Sequence, residues 1–405
     1  MRKYSKLLLF ILVGFIPLGC STLDEDPRAL HVLDQFYANE EQAISAVNGS
    51  YRKLYESGQS LYNGLFQIGV EMATDDYEAG PRARNAHVRA ISGLIHDAAN
   101  DRMEQLWKQS YDAINSVNLN IYYIALMDDS HIRAAIKKRL LLEAKFLRAL
   151  HYFNLVRWFG DVPLVLLPEK TLAPEALSVA KTAEAEVYAQ IILDLKEARE
   201  LPNYQALADA DIGRASSGAA KALLAKVFLT QGQWEEAKVQ AQDVMLKEGY
   251  SLMAEFADVF AVDKKNGAEH IFSAQFKGKS GYQGNALAGR SAPADIPGIN
   301  GDYADALHME GGLYASYAEN DKRRDITFTK GLVSPVDGKY YALAKPQFHK
   351  YYDLSVEGSP SESGKNLPII RYAEVLLIYA EALNELEGPH RAALDAINQV
   401  RLRAG

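Results

Sequence analysis

Two stretches of the chain gather side chains suited to holding a polyhydroxylated ring. In the first, Thr74, Asp75, Asp76 and Tyr77 lead to Arg82, Arg84, Asn85 and His87; in the second, Tyr282, Gln283 and Asn285 precede Asn300, Asp302, Tyr303 and His308. A sugar ring presents an apolar C–H face and a rim of hydroxyls. Its recognition calls for flat aromatic rings flanked by carboxylate, amide and cationic groups. The chain carries 23 Tyr and 14 Phe against 3 Trp, and tyrosine combines an apolar body with a polar tip. On this reading Tyr77, Tyr282 and Tyr303 stack, while Asp75, Asp76, Arg84, Asn85, His87 and Asn285 bond to hydroxyls. Residue by residue, the same groups equally fit solvated loops with packing tyrosines. Their place in irregular, polar segments predicts that Tyr77→Ala or Tyr282→Ala weakens ligand retention and leaves thermal stability nearly unchanged.

Bond-making chemistry has less support. The chain holds no His-Glu-x-x-His and no Gly-x-Ser-x-Gly. Gly278-Lys279-Ser280 imitates the end of a phosphate loop, but Ser273 replaces the leading glycine. Asp209 to Gly213 hints at a calcium loop, yet Ala220 stands where the twelfth-position carboxylate belongs. The 9 histidines lack ligand spacing, and the single cysteine excludes an internal disulfide or a multi-cysteine metal site. No catalytic residue, metal or cofactor is expected. A carboxylate pair assembled only in space stays open among 52 acidic residues, so a glycan-active enzyme remains an alternative. With 44 Lys and Arg and a net charge of −8, the chain lacks the basic excess of a nucleic-acid binder.

The single cysteine, Cys20, follows a basic start (Arg2, Lys3, Lys6) and ten apolar residues, Leu7 to Ile16. That run is too short to span a bilayer, which takes roughly twenty residues, and reads as a secretory signal over residues 1–19. Leu18-Gly19-Cys20 resembles the bacterial lipobox, with Pro17 where leucine is usual, so Cys20 is expected to carry the lipid. Removing 19 of the 405 residues leaves 386 and takes the charge from −8 to −11. The Asp24-Glu25-Asp26 cluster resembles the surface-export signal of Bacteroidetes lipoproteins and also fits a solvated tether.

Helices must position these groups. Asn39 and Gln42 make a capping box. Met103, Trp107, Tyr111, Ile114, Val117, Ile121 and Ala125 recur at helical spacing. A second helix is predicted from Ser130 to Gly160, and a third through Val187, Ile191, Leu195 and Ala198. Helix pairs follow over 217–247, turning at Gly232, and over 371–403. Each pair places small and large residues as a tetratricopeptide unit does: Ala225, Phe228, Gly232, Trp234 and Ala237 in one, Ala380, Leu383, Gly388, His390 and Ala393 in the other. Residues 71–100 read as loop. Residues 250–366 read as an irregular insertion with short β pieces such as His270-Ile271-Phe272. The expected fold is mainly α: a scaffold of tetratricopeptide-like helical pairs bearing a long irregular insertion.

The segment from Glu143 to Phe153, running into Phe159-Gly160-Asp161-Val162-Pro163-Leu164, closely resembles the hallmark block of the SusD/RagB family of outer-membrane nutrient-binding lipoproteins. Further blocks agree in order: Asn39 to Tyr51, Trp107 to Asn118, Ala219 to Ala237, and Leu367 to Leu377 continuing to Gly405. The resemblance implies residues 20–405 as one SusD-like helical domain that chemically transforms nothing. It implies capture of an oligosaccharide or polysaccharide, or in some branches a peptide. It also implies a SusC-like TonB-dependent transporter as partner, and a lipid anchor in the outer membrane facing outward. Family members continue past the Arg401 to Gly405 block, so a C-terminal segment is expected to be missing. Glu143, Arg148, Arg371 and Glu374 belong to the matching blocks and are expected to pair or cap within the helical core. Arg82, Arg84 and Arg89 would suit an acidic sugar.

Overall fold

The computed structural model describes residues 36–56, 60–168, 178–278, 284–293, 296–299, 301, 304–306, 312–353, 356 and 362–405. The expected signal segment, Cys20, Tyr282, Asn300, Asp302, Tyr303 and His308 lie outside these residues.

Helix α1 spans Glu40–Arg52; the Asn39 side chain accepts from Gln42 N at 3.0 Å, capping it as its residue type predicts. A short α2 (Leu65–Gly69), strand β1 (Tyr77–Ala79) and α3 (Ala86–Ser92) follow. Then come α4 (Asp101–Leu126), α5 (Ala134–Phe159) and α6 (Glu184–Ala198). Helix α5 starts four residues later than its periodicity predicts. Ser130 N is held in a turn by Asp128 Oδ1 at 2.8 Å, and Arg133 N donates to the Glu40 carboxylate at 3.1 Å. The helix stops at Gly160, whose φ of 68° lies in the left-handed region that a Cβ disfavours.

The pair α7 (Ser217–Thr230) and α8 (Trp234–Lys247) flanks Gly232. Ala219, Ala220, Ala222 and Ala225 are fully buried on α7, and small residues let neighbouring helices approach closely. After α8 the chain leaves the helices through β2 (His270–Ala274), runs through α9 (Leu287–Ser291) and β3 (Ala304–Ala306), and continues to α10 (Leu313–Ser316) and α11 (Lys322–Thr327). Strands β4 (Phe328–Val333) and β5 (Tyr340–Phe348) form a hairpin. Strand β6 (Leu367–Arg371) returns antiparallel to β2, delivering the chain to α12 (Tyr372–Glu387) and α13 (Arg391–Ala404). Helix α12 packs on α8 across the whole insertion, so the helices stack as α4, α5, α6, α7, α8, α12, α13. The fold is mainly α, as expected. The described strands pair as three two-stranded antiparallel sheets, β1–β3, β2–β6 and β4–β5.

The largest apolar core runs through this stack, with α5 at its centre: Phe146, Leu147, Tyr152 and Phe153 are among its most deeply buried side chains. Charged residues of the hallmark blocks pair, as expected. Arg148 forms a two-pronged bond to Asp194 at 2.8 Å on both arms, Arg214 Nε donates to Glu143, and Lys226 meets Glu374 at 2.6 Å. Glu269, with no exposed surface, accepts from Arg371 Nη1 at 2.6 Å, Arg403 Nη1 at 2.8 Å and Met253 N at 3.0 Å. One buried carboxylate thereby ties β2 to the start of α12 and the end of α13, and a buried charge persists when paired in this way.

Residues 71–100 correct the sequence reading. They contain β1 and α3, elements of three and seven residues, too short to display a period. Val88 and Ile91 of α3 pack with Ile68, Met72, Tyr77, Phe328 and Phe348 into a second, smaller core.

Candidate functional site

Where α2, β1, the end of β5 and the α12–α13 pair meet, they enclose a cavity of about 640 Å³. Helix α2 supplies Gln67, the turn after it Glu71, Thr74 and Asp76, and the start of β1 Tyr77. The segment after β5 supplies Lys350 and Tyr351. Arg371 comes from the end of β6, Glu374, Leu377 and Arg403 come from the terminal helices, and Phe256 and Tyr317 add aromatic surface. A smaller, more apolar recess of about 210 Å³ adjoins it, sharing Gln67, Glu71, Lys226, Tyr351, Pro368 and Ile369 and backed by Phe66, Phe153 and Leu223.

The polar groups are poised, not loose. Glu71 is solvent-exposed yet surrounded by protein, because the water that reaches it is the water of the cavity. Burial raises its pKa, and Lys350 acts through space to lower it. Burial pushes the Lys350 ammonium down from its usual range, opposed first by Glu71. Its Nζ also lies 5.2 Å from the Tyr351 ring centroid. Burial likewise raises the Tyr351 phenol, with Glu71 adding to the effect, so Tyr351 stays protonated and can donate. Four other cations of the wall already have carboxylates: Lys226 on Glu374, Arg371 and Arg403 on Glu269, and Arg323 on Asp321. The cavity is therefore close to charge-balanced while rich in donors and acceptors.

The sequence-derived candidates separate. Asp76 lines the cavity and is exposed; burial and then Asp75 raise its pKa. Asp75 is exposed and does not line it. Tyr77 lines it but cannot serve as a free stacking ring. It is 5% exposed, stacked on Phe348 at 4.3 Å between centroids, and its hydroxyl is shared with Ser291 Oγ at 2.8 Å and with Gln67 Nε2. Asn85 instead caps α3, accepting from His87 N at 2.8 Å and Val88 N at 3.2 Å. His87 Nδ1 accepts from Asp101 N at 3.3 Å. Arg84 is exposed, and Arg89 donates to the carbonyls of Gly80 and Pro81. None of Arg82, Arg84, Asn85, His87 and Arg89 lines the cavity. Asn285 is 1% exposed; its amide donates to Lys365 O at 2.9 Å and accepts from Leu287 N at 2.8 Å, which makes it part of the framework. Glu71, Lys350 and Tyr351 escape sequence reasoning, although Lys350-Tyr351-Tyr352 is an aromatic and cationic cluster inside the irregular insertion. Arg371 and Glu374, expected to be purely structural, are paired and also face the cavity.

A stack of helical pairs carrying a polar and aromatic cavity under an irregular insertion defines a binding scaffold. Comparison with known proteins identifies which one. Residues 31–229 match the family described as starch-binding associating with outer membrane, and residues 340–405 match the SusD family. The chain belongs to the SusD family. It is 29% identical to SusD-like protein P2 of Formosa agariphila, over 100% of this chain and 82% of that protein. With a SusD-like protein of Bacteroides ovatus it shares 27% identity over 99% of this chain and 76% of the other. Among solved structures, a laminarin-binding SusD-like protein superposes with a TM-score of 0.75 at 26% identity, covering 91% of this chain and 85% of that one.

Proposed function

We propose that the protein captures a glycan at the outer membrane and hands it to a TonB-dependent, SusC-like transporter, without chemically altering it. The observation that carries the reading is the cavity: hydrogen-bonding groups of both polarities (Glu71, Asp76, Lys350, Tyr351) around apolar surface from Phe256, Tyr317 and Leu377, at near charge balance. That combination complements hydroxyl rims and C–H faces, and it favours a neutral glycan over an acidic one. Membership of a family described as starch-binding and outer-membrane-associated, and likeness to a laminarin-binding protein, support the same reading. Cys20, lipidated after removal of residues 1–19, would hold the protein on the outer surface.

The test is affinity electrophoresis of the mature protein in gels holding laminarin, soluble starch or an acidic polysaccharide, with chain length of the glycan measured afterwards. Retardation by a neutral polymer with no shortening is expected. Shortening would replace capture with catalysis, and preferential retardation by the acidic polymer would refute the charge-balance argument. Cys20→Ala should move the protein out of the membrane fraction; a variant that stays membrane-bound would sink the anchor.

A further inference from the structure

The two faces of the β4–β5 hairpin differ. Leu332, Tyr341 and Leu343 turn inward onto Ile296, Ile299 and Tyr352. The other face sets Val333 opposite Tyr340 and Gly331 opposite Ala342, with Ala344 beyond. Val333, Tyr340, Ala342 and Ala344 are all exposed, while Gly331 is partly covered. Tyr340 provides that cover. A methyl group added to Gly331 would lie 2.6 Å from Tyr340 Cζ and closer still to its hydroxyl. The phenol therefore reaches diagonally over the glycine, within the span that diagonal cross-strand neighbours allow. Tyr340 nevertheless keeps 63% of its surface exposed.

The support beneath this ring is fixed. Ser334, 1% exposed, donates to Pro297 O at 2.9 Å and accepts from Val336 N at 3.2 Å and Asp337 N at 3.3 Å, holding the turn. Tyr341 OH donates to Asp337 at 2.7 Å. The next side chains on the same face of β5, Ala342 and Ala344, are small and exposed, and 63% of the Tyr340 surface stays open. No residue of this hairpin segment, 329–345, lines the cavity.

We propose that Tyr340, seated on Gly331, is a stacking platform for one pyranose ring of a glycan chain, a saccharide contact separate from the cavity. The proposal rests on the glycan-capture reading. Occupancy by a sugar is favoured over a protein partner by size. One ring with Val333 and two alanines matches the C–H face of a single sugar, whereas a stable protein interface covers about 800 Å² per partner. A polymer that touches cavity and platform together gains effective concentration for the second contact, and a short oligosaccharide confined to the cavity does not.

The experiment compares the parent with Tyr340→Ala, Tyr340→Val and Tyr340→Phe in gels of laminarin and soluble starch. Affinity for laminaritriose and maltotriose is measured by calorimetry, and melting temperature by circular dichroism. The valine variant keeps a strand-forming apolar residue without a flat ring, and a parental melting temperature in it shows that lost retention is not a folding defect. Expected are a drop in polymer retention of roughly tenfold for the alanine and valine variants, parental retention for phenylalanine, and unchanged trisaccharide affinity throughout. Parental retention in both alanine and valine variants overturns the platform and leaves glycan capture standing. An equal loss for trisaccharide and polymer overturns the claim of a separate contact. A parent retarded by neither polymer overturns the capture reading and the platform with it.

Discussion

Tyr77 offers the sharpest prediction, because its sequence position and its surroundings disagree. The ring is 95% buried by difference from its 5% exposure and stacks on Phe348, while its hydroxyl joins Ser291 and Gln67. Truncation to alanine removes a ring of roughly 150–250 Å² from a small core. At about 25 cal/mol per Å², with a cavity left behind, the loss is about 3–5 kcal/mol. Tyr77→Phe removes only the hydroxyl. Gln67 Nε2 and Ser291 Oγ remain bonded to each other at 2.9 Å, so neither is orphaned and the cost is about 1 kcal/mol. Urea unfolding followed by circular dichroism at pH 7 measures both, through midpoint shifts at constant slope. A Tyr77→Ala protein within about 0.5 kcal/mol of the parent would refute the burial argument. If that variant also lost polysaccharide retention, Tyr77 would be the exposed platform that its polar flanks suggest.

Three further outcomes are expected. Glu269→Gln leaves Arg371 and Arg403 facing a neutral acceptor, and should cost about 3–5 kcal/mol as a broken buried pair; an unchanged urea midpoint would contradict the latch between β2 and the terminal helices. Asn85→Ala should cost about 1 kcal/mol through the lost α3 cap and leave retardation by laminarin and starch untouched, so a change in retardation at parental stability would return Asn85 to the site. His151 has no exposed surface and, among the described residues, no hydrogen-bond partner on either ring nitrogen, and burial lowers its pKa from 6.5 to about 4. Below pH 6.5 the unfolded chain binds a proton that the folded one refuses, so this contribution is present above 6.5 and lost as pH falls toward 4. It amounts to about 3 kcal/mol, and His151→Leu should show that much less acid sensitivity between pH 6.5 and 4; identical pH profiles would refute it.

The helical scaffold is legible in the residue pattern alone. Periodicity located α4, α6, α7, α8, α12 and α13, because a long amphipathic helix writes its buried face at every third or fourth position. The charges inside the hallmark blocks could be assigned to pairing for a similar reason: ionised groups in an apolar helix face need partners. Short elements escaped this logic. Helix α3 has seven residues and β1 three, so nothing in 71–100 announced that Asn85 is a cap or that Tyr77 is core. The composition of that segment matched a sugar site, but composition does not say which side of a tyrosine faces water.

What surrounds the cavity depends on contacts between distant parts of the chain. Glu71, Lys350 and Arg371 are separated by about 280 and 20 residues along the chain, and no local pattern links them. They meet because β6 pairs with β2 and brings α12 back onto α8, closing the insertion over the helices. Tyr340 shows the same division on the surface. Alternation along β5 indicates which residues share its face, but the cross-strand register decides that the neighbour beneath the ring is a glycine. Helices are fixed by contacts within a few residues, and binding surfaces by contacts between distant ones; the first can be read from a chain in order, and the second requires the chain to fold.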